Sequence, residues 1–222
     1  DDIWLRLLYL HPARMDEAFI DRLLSFKKVL RYLDIPIQHI DDEMLRRMKR
    51  PGTASHIRRL FSHARKADPF FALRTTIIVG FPGETETAFG KTLDFLEDTS
   101  IDRVGAFVFS PEEGTPAATM DGQIPDSVRE QRYARLMELQ SAISLERQRL
   151  FVGRTMRVLV EEIDREGDLA WGRSYRDAPE VDGLVGVSPV GTLQEGDFVS
   201  VSVTDAEEYD LFGVPADDGA RS

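Results

Sequence analysis

Apolar positions recur with two periods along this chain, and the period changes partway. From Ile3 to about residue 152, short apolar runs alternate with amphipathic segments of helical spacing. Ile3–Leu10, Val29–Ile37, Ala72–Val79 and Arg103–Phe109 read as strands. Between and after them, residues 16–26, 41–49, 53–68 and 85–99 read as helices, and a long helix runs from Pro125 or Asp126 to about Val152. Phe89, Leu93 and Leu96 form an apolar face on one of these helices, and Leu136, Leu139 and Ile143 on the last. Aspartates and threonines stand where helix starts need side-chain acceptors. Strands separated by helices of this length predict βαβ units and a parallel sheet.

After Gly153 the texture is different. Residues 155–163, 169–175, 183–187, 198–203 and 210–212 read as five short strands with turn signals between them, among them Arg165-Glu166-Gly167 and Glu195-Gly196. Such spacing predicts a small antiparallel barrel. The expected organisation is therefore an α/β domain over 1–152, a β-barrel over 153–215 and a loose tail over 216–222.

Charge divides at the same place. The net formal charge is −11. Residues 1–152 carry a balance of −1 and residues 153–222 a balance of −10. The barrel is thus a poor match for phosphates, whose binding needs positive charge. No apolar run reaches the roughly 18–20 residues of a membrane span, and nothing at the N-terminus reads as an export signal, so the expected location is cytoplasmic. The sequence has no cysteine, which leaves no thiolate for a disulfide, a zinc finger or an iron–sulfur cluster. Opening at Asp1 and entering an apolar run at once, the chain reads as part of a longer protein.

Candidate chemistry lies just after each strand: His11-Pro12, Gln38-His39, Gly80-Phe81-Pro82-Gly83-Glu84 and Ser110-Pro111-Glu112-Glu113-Gly114. In parallel α/β folds the ligand site sits at these carboxyl ends. The glycine-rich run is either a plain strand-to-helix turn or a close approach to a ligand; it is neither a Walker loop nor a GxGxxG motif. His39 is either a hydrogen-bonded structural histidine or a contact. Arg74, a charge in an otherwise apolar strand, either pairs within the fold or holds an anion. Four histidines with no HExxH spacing make no metal site.

These loops carry a resemblance. IPIQH at 35–39, LRTTIIVGFPGET at 73–85 and DRVGAFVFSPEEGTPA at 102–117 resemble the later strands of radical S-adenosylmethionine (SAM) methylthiotransferases. GRSYRDAPEVDG at 172–183, EGDFVSV at 195–201 and EEYDLFG at 207–213 resemble the TRAM barrel that ends those enzymes. The resemblance implies an α/β fold: about four later strands of a partial parallel (βα) barrel, then the OB-like TRAM barrel. It implies SAM contacts at Gln38, Arg74, Ile78, Gly80, Phe81, Pro82, Phe109 and Ser110. The cluster cysteines would lie upstream of Asp1, so two 4Fe-4S clusters would belong to the full-length protein and none to this chain. The chain alone would then be inactive, with no catalytic residue of its own and weak SAM binding.

The branch most resembled modifies an aspartate of a small-subunit ribosomal protein. The other readings are the tRNA-modifying branch and a non-catalytic binding scaffold. A barrel at −10 favours a basic protein partner over nucleic acid, with Asp177, Glu180, Asp182, Asp205, Glu207, Glu208 and Asp210 as the attracting carboxylates. A bare edge at Ile3–Leu10 also predicts self-association.

Overall fold

The computed structural model describes residues 3–216. They form two compact units, one running from Leu5 to Ile143 and the other from Ser144 onward. From residue 217 the tail read as loose lies outside the described residues.

In the first unit, α1 (Glu17–Ser25), α2 (Asp42–Arg47), α3 (Ala54–Ala67) and α4 (Glu86–Thr99) alternate with β1 (Tyr32–Asp34), β2 (Ala72–Val79) and β3 (Arg103–Val108). The helix starts follow the sequence signals. Asp16 accepts from the Phe19 N–H at 2.8 Å, Thr53 from His56 at 3.3 Å and Thr85 from Ala88 at 3.1 Å. Each side chain satisfies a donor that the helix itself leaves unpaired. The strands pair in parallel in the order β1-β2-β3. Tyr32 stands opposite Ala72, Arg74 opposite Arg103 and Ile78 opposite Phe107.

Strand alternation then sorts the side chains onto two faces. Leu33, Ile35, Ile37, Leu73, Ile77 and Val79 enter the core with Ile57, Leu60, Phe61, Phe89, Phe95 and Leu96 from the helices. The opposite, inner face carries Asp34, Arg74, Thr76, Ile78, Gly105 and Phe107. Its polar end is settled by pairing: Arg74 Nη1 donates to Asp34 Oδ1 at 2.9 Å, with the carboxylate buried.

Two expected strands are corrected. Ile3–Leu10 makes only a single parallel bridge, Leu5 to Val29, so the described sheet has three strands rather than about four. The cause lies at Tyr9, which sits at φ 58°. Its N–H goes to the Asp34 carboxylate at 2.9 Å and the Leu10 N–H to the Asp34 carbonyl at 2.9 Å, which turns the chain out of strand geometry. Val29–Ile37 shrinks to Tyr32–Asp34, and past it the Ile37 N–H goes to the Thr75 hydroxyl at 3.4 Å instead of a ladder carbonyl.

The long helix α5 (Asp126–Arg149) lends its residues up to Ile143 to this unit and its last turns to the second. There β4 (Thr155–Asp164), β5 (Leu169–Arg173), β6 (Val185–Val187), β7 (Phe198–Ala206) and β8 (Leu211–Pro215) close a barrel in the order β4-β5-β6-β8-β7. A closed ring of five strands cannot alternate direction all the way round. The expected antiparallel barrel therefore has one parallel seam, β6 with β8. Met156, Val158, Val160, Val185, Val187, Val201, Val203 and Leu211 fill it. Gly172 and Gly213 sit where a Cβ would strike the carbonyls of Leu159 and Ser202, so the strands close at those points only on glycine. On the outside, Trp171 and Phe212 meet edge to face at 5.8 Å across Gly186.

Candidate functional site

All three strand ends converge at one rim. After β1 the chain reaches Gln38 at φ 70°, a left-handed backbone unusual for a residue with a Cβ. Its N–H donates to the Thr76 carbonyl at 2.8 Å, and its own carbonyl accepts from Ile78 at 2.9 Å. Gln38 is thereby fastened to the end of β2 from both sides.

His39 is fully buried. Its Nδ1 accepts the backbone N–H groups of Ile40 at 3.0 Å and Asp41 at 2.9 Å. That pattern places the ring proton on Nε2, which donates to Glu84 Oε1 at 3.1 Å. The other oxygen, Oε2, accepts from the Gly80 N–H at 2.9 Å and from Arg132 Nη1 at 2.6 Å. Arg132 also reaches the Glu84 carbonyl at 3.0 Å. One buried carboxylate thus ties the end of β1, the Gly80–Glu84 turn and α5 together. His39 is the structural histidine of the two readings, and Glu84 spends its acceptors inside the fold.

Gly80, at φ 75°, leaves no room for a Cβ, which would run into the Arg129 side chain. Arg129 Nη1 in turn donates to the Phe109 carbonyl at 2.6 Å. Phe81 and Phe109 meet edge to face at 5.1 Å, within a cluster that includes Met44, Ala88, Ile78, Ala117 and Met120. Pro82 is buried, with its carbonyl accepting Arg47 Nε at 3.0 Å, whereas Ser110 is exposed. On the inner face, Gly105 leaves a notch. A Cβ there would lie 3.7 Å from Arg74 Nη2, 3.7 Å from Thr76 Oγ1 and 3.9 Å from the Phe107 ring, which is 59% exposed. The rim therefore gathers Gln38, Ile78, Gly80, Phe81, Pro82 and Phe109. Arg74 stands further down the inner face, held by Asp34.

Asp41 starts α2 by accepting from Glu43 at 3.0 Å and Met44 at 3.1 Å, and its second oxygen accepts from Lys91 at 2.6 Å. Burial works against its charge, but the Lys91 hydrogen bond, the Met44 N–H and the Lys91 charge outweigh it and hold the carboxyl below its ordinary 3.8. A lowered folded value means stability that is present above the ordinary value and lost as pH falls through the folded one. We expect Lys91→Met to begin acid unfolding at a higher pH than the wild type, read by circular dichroism between neutral pH and pH ~2; coincident curves would refute the pairing.

The barrel's carboxylates divide into two kinds. Asp177 is 2% exposed, with Oδ2 accepting from Ser174 Oγ at 2.6 Å and the Ser174 N–H at 3.1 Å. This corrects its reading as an attracting surface charge: it closes a turn. Asp182 accepts from the Ala178 N–H at 2.8 Å and Asp210 from Leu184 at 2.7 Å, so both brace the 174–184 loop while half-buried. Glu180, Asp205, Glu207 and Glu208 stay exposed.

Arg47, Arg129 and Arg132 were not legible as site residues. Only Arg132 left a signal: four residues from both Val128 and Leu136, it stands on the apolar stripe of its helix.

Profile comparison matches the Radical SAM superfamily over residues 5–96 and the TRAM domain over residues 152–215. The parallel sheet with its convergent strand ends and the closed five-strand barrel are thus a radical SAM domain followed by a TRAM domain. The relatives narrow this. The chain is 43% identical to ribosomal protein uS12 methylthiotransferase RimO of Carboxydothermus hydrogenoformans, over 96% of this chain and 48% of that protein. It is 48% identical to RimO of a Roseiflexus species, over 100% of this chain and 48% of that protein. For RimO of Thermus thermophilus the identity is 46%, over 96% of this chain and 49% of that protein. Over nearly all of its length this chain is similar to RimO methylthiotransferases that carry radical SAM and TRAM domains, and it spans about half the length of the curated relatives it matches. Among solved structures, coproporphyrinogen III oxidase (HemN) from Escherichia coli, a radical SAM enzyme, aligns over 80% of this chain and 41% of its own, with a TM-score of 0.49 and 18% identity.

Proposed function

We propose that this chain is the SAM-facing and substrate-docking portion of a transferase that places a methylthio group on the β-carbon of an aspartate in ribosomal protein uS12. The observation that supports it most is the rim itself: Gln38, Ile78, Gly80, Phe81 and Phe109 brought to one end of the sheet in a chain similar to RimO methylthiotransferases. The residues fit an adenosyl group. Ile78 and Phe109 offer apolar surface to a base, Gly105 leaves a notch where a ligand can approach the backbone closely, and Arg74 is a cation on the same inner face for a carboxylate. SAM, when bound, supplies the radical chemistry of the superfamily; these residues bind it, orient it and keep water from it. An iron–sulfur cluster does not fit, because the sequence has no thiolate to offer one. Clusters therefore belong to the longer transferase, and this chain alone does not turn over.

The acidic barrel is the docking element for a basic substrate protein. Glu180, Asp205, Glu207 and Glu208 present charge to solvent, and a field of that sign steers a cationic partner and repels phosphates. The expected result is that this chain binds purified uS12 with an affinity that falls steadily as salt rises, because screening shortens the reach of exposed charges. Transfer RNA should not bind at any salt. Salt-dependent tRNA binding would favour the tRNA-modifying alternative, and salt-insensitive uS12 binding would remove the role given to the barrel.

A further inference from the structure

The connection from β3 to α5 is long and mostly exposed, yet one part of it is pinned. The Gly83 N–H donates to the Gly122 carbonyl at 2.7 Å. Arg47, at the end of α2, donates through Nε to the Pro82 carbonyl at 3.0 Å. Its Nη2 reaches both the carbonyl and Oδ1 of Asp121, each at 2.9 Å. A Cβ on Gly83 would stand 2.8 Å from Arg47 Nε, and one on Gly122 would stand 3.1 Å from the Gly83 nitrogen. Both loops lie flat against each other because neither has a side chain at the seam, and the guanidinium stitches them from a third segment.

Inboard of that seam, Ala117 and Met120 pack, together with Ile78 and Phe109, against the buried Met44, Phe81 and Ala88. Gln123 Nε2 donates to the Ala117 carbonyl at 2.8 Å and so holds the turn that carries Met120. The pinned stretch is therefore the cover of the apolar rim. The two ends of the pin differ: the Arg47 side chain is 22% exposed and that of Asp121 92%. Anchored at one end and open to water at the other, the pin can be lost without disturbing the core beneath it.

We propose that Arg47 is a positioning residue: it straps the β3–α5 loop over the strand ends and thereby sets the shape of the cofactor rim without touching the cofactor. This rests on the SAM reading of the rim given above, and the two are separable by experiment. Hydrogen exchange on this chain tests the strap alone. In Arg47→Ala the amides of Gly83 and of residues 117–124 should exchange about tenfold faster or more, while those of α3 and α4 keep their rates. Arg47→Lys, which can satisfy only part of the set, should fall between. Unchanged exchange in Arg47→Ala overturns the strap. Should Arg47→Ala fail to fold, Arg47→Lys decides: faster exchange confined to the loop supports the strap, and none overturns it.

The link to the cofactor is read in the full-length transferase with its clusters loaded. There Arg47→Ala should raise KM for SAM by about tenfold and leave kcat within about twofold, the split expected when binding geometry is lost and the chemical step is not. A fast-exchanging loop with an unchanged KM overturns the positioning role and leaves the strap standing. A wild-type transferase that does not use SAM overturns the reading of the rim, and the positioning role with it, while the exchange result still decides the strap.

Discussion

Replacing Glu84 by alanine should lower the stability of the α/β unit by about 3–5 kcal/mol, the range for removing one partner of a buried, hydrogen-bonded charge pair. The loss has three sources. Arg132 keeps a buried positive charge without its carboxylate, His39 keeps an Nε2–H without an acceptor, and the Gly80 N–H is stranded in the turn. Glu84→Gln is the more informative variant, because its shape is right. Every partner of the carboxylate is a donor: the ring Nε2–H, a backbone N–H and a guanidinium. A glutamine amide offers one oxygen and one NH2 group, so whichever way it turns, a donor faces a donor. The histidine cannot relieve this by moving its proton, since Nδ1 already accepts from Ile40 and Asp41. Glutamine should therefore cost about 1–3 kcal/mol despite being isosteric. Urea unfolding followed by circular dichroism measures both, and a neutral Glu84→Gln would mean the clamp is not what holds the turn.

The second large effect belongs to the barrel. Gly172→Ala and Gly213→Ala should each destabilise it by about 1–3 kcal/mol or more, since the new methyl meets backbone carbonyls rather than a yielding side chain. Trp171, packed edge-on against Phe212, gives a fluorescence signal for barrel unfolding. Gly90→Ala is the contrasting control. Gly90 lies inside α4, a Cβ there meets nothing within 4 Å, and its expected change is a gain of about 1 kcal/mol from helix propensity. If all three alanines behaved alike, close strand approach would not be the reason for the barrel glycines.

Legibility followed the range of the interactions. Helix starts were readable because a cap is settled within three residues, as Asp16, Thr53 and Thr85 show. Ala72–Val79 was readable to the residue because it is rich in β-branched residues and is bounded by Pro69 and Gly80, which punctuate strands. Ile3–Leu10 is richer still in apolar residues but fails as a strand. What stops it is Asp34, 25 residues downstream of Tyr9, whose carboxylate takes an N–H that a ladder would have used. The candidate site divides the same way. Its glycines and aromatics stood out because they punctuate the strand ends. Its arginines did not: Arg132 lies 48 residues beyond Glu84 and Arg129 lies 20 beyond Phe109, so both declare themselves only through the fold. Arg74 was correctly marked as needing a partner, but the partner lay 40 residues away.

The pairing registers also bear on how quickly each unit can assemble. In the parallel sheet Tyr32 must find Ala72 and Arg74 must find Arg103, so no ladder forms before a long segment of chain has been closed. In the barrel Asp164 meets Leu169 and Ala206 meets Leu211 across tight hairpins. Short closures are made at smaller entropic cost and earlier in folding. The barrel hairpins should therefore gain exchange protection first after dilution from denaturant, while the strand ends that make up the candidate rim are among the last parts of the chain to become ordered.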